Sequence, residues 1–304
     1  MSKMFQKREY HIDFMGQSKL AYILSALLLL ISVWSFAFKG LNYGIDFIGG
    51  VQIEAASETE IQMETVRKKL AFLKDLSLQS VGTDGKGILI QAQPEGENPN
   101  ALLTKIKDAL GTGYSYNEVE IVGPAIGSEL KYKSLLASIL ALLAIAVYIW
   151  FRFEWPFALG CLLALAHDMI IVVGFFSFFQ IEFDMVVVAG LLSLAGYDCN
   201  DTIVSYDRMR ENLKKYRKAS VVELLNRSTN ETFSRTILTS LTTLFVVLVL
   251  LFVGGESLKG FSIAMVLGTI LGTYSSIYLA MPLLQYFDVK SVGNTEDVTP
   301  DFNK

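Results

Sequence analysis

Histidine, cysteine and proline are all scarce in this chain, whose 304 residues include two histidines, two cysteines and six prolines. His11 and His167 are too few for a His/Cys metal set or a Ser-His-Asp triad, so a histidine-based hydrolase is excluded and no metal is expected. Cys161 and Cys199 both fall within apolar runs, which argues for reduced packing residues and against a disulfide or a metal pair. The chain has no Gly-rich phosphate loop, and no cofactor is expected. Charge is scarce too. Only 18% of residues are charged, and the formal net charge of −4 offers no basic face for nucleic acid.

Apolar sequence is abundant, at 52% of the chain, and it is gathered into long runs. A helix rising ~1.5 Å per residue needs about 20 apolar residues to cross ~30 Å of hydrocarbon. Runs of that order predict membrane spans over 20–38, 134–151, 157–179, 185–206, 236–253 and 260–284. The first is longer than the usual ~7–15-residue signal core and lacks a small-x-small cleavage pattern before Gly40, so it reads as a retained anchor. Basic residues set the orientation. Lys3, Lys7, Arg8 and Lys19 lie in 1–19, Arg152 follows the second span, and 207–235 holds a basic loop that includes Arg208, Arg210, Lys214, Lys215, Arg217 and Lys218. The alternate connections, 180–184 and 254–259, contain only Lys259 between them. The positive-inside rule therefore puts both termini, including the 285–304 tail, in the cytoplasm of a multi-pass cell-membrane protein, with 39–133 outside.

Within 39–133 the periodicity changes to that of a water-exposed fold. Val51–Ala55 alternates as a strand, and Glu58 to Phe72 has helical spacing at Ile61, Val66, Leu70 and Leu73. Leu76–Val81 and Ile88–Ala92 read as strands joined by a turn over Thr83 to Gly87. Asn98-Pro99 looks like a capped helix start for a helix through Leu110, and Val119–Val122 closes the pattern. This order predicts an α+β ferredoxin-like extracytoplasmic domain burying Ile53, Val66, Leu70, Ile90, Leu103, Ile106 and Ile121. The predicted fold class is thus an integral membrane six-helix transmembrane bundle with that domain inserted after the first span.

Ionisable groups at bilayer depth cost a few kcal/mol each on insertion scales, which makes them functional candidates. His167 and Asp168 lie near the middle of the third span, Asp198 and Asp201 in the cytoplasmic half of the fourth, and Arg235 opens the fifth. Asp198 and Asp201 are three apart, hence on one helix face, and flank Asn200 beside Thr202. Two carboxyls that close in low dielectric compete for ionisation, which suits a site that loads and releases a proton. The alternative is that Asp201 pairs with Arg235 and ties two helices together. His167 and Asp168 invite a relay, but neighbours on a helix point about 100° apart and need not share a face. The other reading is that they bond adjacent helices. Gly268-x-x-x-Gly272, followed by Ser275 and Ser276, suits close helix packing.

Several segments together resemble the SecD/SecF protein-export membrane protein family. Gly44-Ile45-Asp46-Phe47-Ile48-Gly49-Gly50 is similar to its GIDFxGG signature, with Gly44, Asp46, Gly49 and Gly50 as the structural motif. Val122 to Gly127, Ala166-His167-Asp168, Gly196 through Asn212, Asn226-Arg227-Ser228, Ser234-Arg235-Thr236 and Gly272 to Tyr278 resemble motifs of the SecF branch in the same order. The resemblance implies an RND-like half, a translocase subunit and not an enzyme. It also implies SecD, the SecYEG channel, unfolded preprotein and the lipid bilayer as partners, with export driven by the proton motive force. In that family an intramembrane Asp in an N-D-[ST] stretch and an Arg opening the next span are implicated in proton coupling; they match Asp201 and Arg235. Asp198-Cys199 departs from the usual Ser-Leu before N-D, which leaves the titrating group open between Asp198 and Asp201. An intramembrane aspartyl protease would need a Gly-x-Gly-Asp setting, which is absent. An RND-type small-molecule exporter would need about twice as many spans, and a mere scaffold would not need charges inside them.

Overall fold

The computed structural model describes residues 11–73, 76–82, 84–93 and 98–289. Lys3, Lys7, Arg8, Thr83 and residues 290–304 of the expected tail lie outside the described residues. In chain order the elements are α1 (Ser18–Lys39), β1 (Asn42–Tyr43), α2 (Ile45–Ile48), β2 (Gly50–Ser57), α3 (Met63–Lys69), β3 (Leu76–Val81), β4 (Gly87–Ala92) and α4 (Pro99–Leu110). They continue with β5 (Tyr114–Val122), α5 (Pro124–Arg152), α6 (Trp155–Phe179), β6 (Glu182–Phe183), α7 (Met185–Lys215), α8 (Val221–Val253) and α9 (Lys259–Ser275). A π-type turn over Ser276–Ala280 prolongs α9 toward Tyr286. The described residues divide into two compact units, the first lying within 1–40, 139–181 and 189–304 and the second within 41–138 and 182–188.

The first unit is helical. Among the described residues, five helical stretches are long and apolar enough to cross a membrane: Met15–Lys39, Pro124–Arg152, Trp155–Phe179, Val221–Val253 and Glu256–Tyr286. The chain is a membrane protein on this ground. α7 is longer than most of them, with 31 residues, but Asp198, Asp201, Asp207 and Arg208 interrupt its apolar sequence. Helix faces are sorted as membrane packing requires. α1 buries Ser18, Ala21, Ser25, Ser32 and Ser35 and exposes Leu20, Ile23, Leu27 and Leu30. Small residues let backbones approach, and a Cβ on Gly174 of α6 would collide with Ser32. The Ser35 and Ser177 hydroxyls then meet at 2.9 Å.

The stretch 207–235, expected as a loop, is a helical hairpin: α7 runs on to Lys215 and α8 starts at Val221. Ser220 caps α8 by accepting from the Glu223 N–H. Asn212 of α7 donates to Ser228 and Glu231 of α8, and Arg208 pairs with Glu231 at 2.7 Å, so the polar sequence that suggested a loop instead joins two helices.

The second unit holds a four-stranded antiparallel sheet in the order β3-β4-β2-β5. Its core comprises Val51, Ile53, Ala55, Val66, Leu70, Ile88, Ile90, Ala92, Leu102, Ile106 and Leu110. Asn98 caps α4, its side chain accepting from the Asn100 N–H at 3.0 Å with Pro99 in the first turn. Two expected core positions differ. Leu102 is enclosed where Leu103 was expected, Leu103 being only partly buried, and Ile121 stays 37% exposed. Ile121 faces Val51 across the ladder but lies on β5, an outer strand of the sheet.

Candidate functional site

The helical unit encloses a strip of polar side chains drawn from four helices. On α6, His167 and Asp168 do share a contact despite their sequence adjacency: His167 Nδ1 lies 2.7 Å from Asp168 Oδ1. The other carboxylate oxygen of Asp168 accepts from the Ser275 hydroxyl of α9 at 2.5 Å. The Asp198 carboxyl of α7 lies against that of Asp168. Three helices thus meet at one carboxyl, and α9 gives up its regular pitch immediately after Ser275. The glycines of α9 have separate tasks. A Cβ on Gly268 would collide with the Leu194 side chain, as expected for packing, whereas one on Gly272 would lie 2.5 Å from Asp198 Oδ1.

Asp201 is also buried, one turn along α7. Its two carboxylate oxygens accept from Thr239 Oγ1 and Ser240 Oγ of α8, each at 3.3 Å, and Thr273 of α9 donates to Ser240 at 2.7 Å. Arg235 is exposed on α8 and forms no ion pair with Asp201, so the direct tie considered from sequence is replaced by hydroxyl bonds. Thr202 is buried beside Asp201, and Asn200 faces outward. The structure therefore brings together His167, Asp168, Asp198, Asp201 and Thr202, and leaves Arg235 and Asn200 at the margin.

Aromatic side chains border the strip. The Tyr274 ring sits 6.5 Å from the His167 ring, and its hydroxyl donates to the Ala21 carbonyl of α1. Fully buried Tyr206 donates to the Ala280 carbonyl inside the π-type turn, in space left by Gly160. Cys161 and Cys199 lie side by side within the surrounding core.

The glycine-rich motif belongs to the other unit, where it has a mechanical role. Gly49 has φ +78°, and a Cβ there would lie 2.7 Å from Pro124, so only glycine lets the motif press on the start of α5. Gly127 on the facing turn has the Gly49 N–H only 2.8 Å from where its Cβ would be. Gly44 donates to the Phe183 carbonyl, which joins β1 to β6, and Gly50 opens β2 beside Ala92. Asp46 accepts from the Met185 N–H, and Asp184 from the Val187 N–H, so two carboxylates cap the first turn of α7. Glu182 and Glu120 complete this acidic group. Burial, with repulsion from neighbouring carboxylates, raises Glu182, Asp184 and Glu120 above the ordinary carboxylate range. Among the described residues no cluster of three or more His, Cys, Asp or Glu side chains is arranged to hold a metal ion.

Sequence reasoning gave Gly272 and Ser275 a packing role within a family-like stretch that also holds Thr273, and did not single out Thr239 or Ser240. A signal was present: Thr236, Thr239 and Ser240 recur at three- and four-residue spacing at the head of an apolar run, and that periodicity marks a polar helix face.

Comparison with known proteins gives concordant matches. The model of the SecD/SecF protein export membrane protein C-terminal region matches residues 103–290, and that of the SecD/SecF GG motif matches 34–61. Protein translocase subunit SecF of Pseudomonas aeruginosa is 43% identical over 293 residues, 95% of this chain and 94% of that protein. The SecF of Vibrio alginolyticus is 42% identical, covering 92% and 91%. The crystal structure of SecDF from Thermus, described as a translocon-associated membrane protein, superposes with a TM-score of 0.81 at 36% identity over 91% of this chain and 38% of that one. SecDF in a super-membrane-facing form gives 0.69 at 34% identity, over 96% and 41%. The chain thus spans about two fifths of those solved SecDF chains.

Proposed function

The chain belongs to the SecD/SecF family of protein export membrane proteins, as a SecF-type translocase subunit and a transport component rather than an enzyme, and from that premise we propose that it uses the proton motive force to promote export. The observation that carries this reading is the strip of buried carboxyls, in which Asp201 is held by neutral hydroxyls and not locked to a cation. Groups costing this much to bury are retained where they do work.

In this reading α7 is a sixth span, its charges facing other helices, and both termini are cytoplasmic in the inner membrane, with 39–133 outside. The strand order β3-β4-β2-β5 supports a ferredoxin-like outer domain that handles emerging preprotein. SecD is the partner half that completes the solved SecDF architecture, and the SecYEG channel is the neighbour through which preprotein passes. Asp201 takes up a proton from outside, and Arg235 responds to its ionised form across the short distance between α7 and α8. Each elementary charge moved through 100 mV is worth ~2.3 kcal/mol, enough to bias two conformations of the bundle.

The test is export from inverted vesicles or proteoliposomes containing SecD and the channel. Asp201→Asn assembles with SecD but loses the dependence of late export on the proton gradient, and Asp201→Glu keeps part of it. Full gradient dependence in Asp201→Asn would refute the assignment.

A further inference from the structure

We propose that Asp168 and Asp198 form a second proton-binding site, distinct from Asp201, in which two carboxyls from α6 and α7 share one proton and hydrogen-bond a water or hydronium at their buried ends. The inference rests on the proton-coupled reading of the bundle and deepens it by naming where a further proton resides.

The geometry is that of a built site. Asp168 is fully enclosed, and both its oxygens are engaged, one by His167 Nδ1 and one by Ser275. Asp198, 3% exposed, presses its carboxyl against Asp168, yet its Oδ1 has no hydrogen-bond partner. His167 Nε2, on a ring 4% exposed, has none either. The chain of contacts from His167 through Asp168 to Asp198 is therefore closed in the middle and open at both buried ends, and unmet polar atoms of this kind are satisfied by water or by a proton carrier.

Among the described residues that face the pair, none supplies a neutralising charge. From α6 the pair is faced by His167 and the Cys161 thiol; from α7 by Asp201 and Cys199; from α9 by the Ser275 hydroxyl, with Tyr274 beside His167. α8 contributes the Thr239 and Ser240 hydroxyls to Asp201, and its Arg235 is exposed; α1 contributes the Ala21 carbonyl and Ser25 to Tyr274. Two ionised carboxylates in contact there would repel without compensation, and one proton between them turns the repulsion into a hydrogen bond. Loading takes a proton from hydronium to a carboxylate oxygen, leaving water; release returns it to water, and only O–H bonds form and break. Gly272 belongs to the site because any side chain there would occupy the space of Asp198 Oδ1.

The test is infrared titration of the full chain reconstituted in lipid, following the carbonyl stretch of protonated carboxyls from alkaline to acidic pH. A protonated-carboxyl band is expected that disappears in Asp168→Asn and Asp198→Asn and persists in Asp201→Asn. Gly272→Ala retains every titratable group and is expected to shift that band, whereas Gly268→Ala, whose nearest neighbours are atoms of Leu194, leaves it in place. A band that survives Asp198→Asn and vanishes in Asp201→Asn, or that is unmoved by Gly272→Ala, overturns the proposal. The readout is separate from export: retained gradient dependence in Asp201→Asn would remove the coupling role of Asp201 while the predicted band pattern would still establish the pair.

Discussion

Between residues 41 and 133 no described polar side chain is fully buried, and the sheet unit is closed by Val51, Ile53, Leu70, Ile90 and Ile106; the helical unit, by contrast, encloses His167, Asp168, Asp198 and Asp201 among its helices. The difference is not one of solvent alone. α1 keeps its leucines outward and packs through serines, so the helical unit has apolar side chains to spare and still places carboxyls inside. In the first case burial serves stability, because apolar area removed from water is the main favourable term in folding. In the second it opposes stability, which points to work done by the buried groups.

The largest effect that would break this contrast is expected in the sheet unit. Leu70→Ala or Ile106→Ala, each removing a side chain of at most 0% exposure, is expected to cost about 2–5 kcal/mol and to abolish amide-exchange protection along β2 and β4 in the full chain. Protection unchanged by either would mean that this core is not what holds the unit. A smaller effect is expected where the glycine-motif carboxylate Asp46 meets α7. Asp46→Ala removes one acceptor from its first turn and is expected to cost ~1 kcal/mol, seen as faster exchange at Met185 and its neighbours with the sheet unaffected.

The smallest effect sharpens the comparison through pH. Glu182, Asp184 and Glu120 hold protons more tightly in the folded chain than in the unfolded one, because burial and mutual repulsion raise them. Their contribution to stability is therefore complete below the ordinary carboxylate pKa of about 4 and is lost as pH rises through the raised values. Exchange protection of the sheet unit should fall modestly over that interval, and Glu182→Gln should flatten the profile. Protection that climbs instead would place the acidic group in a different environment.

How far the sequence could be read follows from the same contrast. Period-two and helical spacing located β2, β3, β4 and α4 closely, since where polar and apolar side chains alternate along an element, polarity reports the buried face directly. The 207–235 hairpin was misread because its residues are polar for pairing with one another, Asn212 with Ser228 and Arg208 with Glu231, and not for lack of helix. The carboxyls themselves were visible as charges in apolar runs. Their partners were not, because Asp168, Asp198 and Ser275 come from three helices far apart in sequence, and the 100° between His167 and Asp168 did not prevent their side chains from meeting.

The central claim is that the buried acids of the helical unit serve coupling and not cohesion, and Asp201→Asn tests it most directly when stability and export are measured on the same preparation. The account predicts that the variant unfolds within ~1 kcal/mol of the parent, its amide still meeting Thr239 and Ser240, while the proton-gradient dependence of export disappears. A variant that is destabilised by several kcal/mol and yet exports with its gradient dependence intact would contradict it.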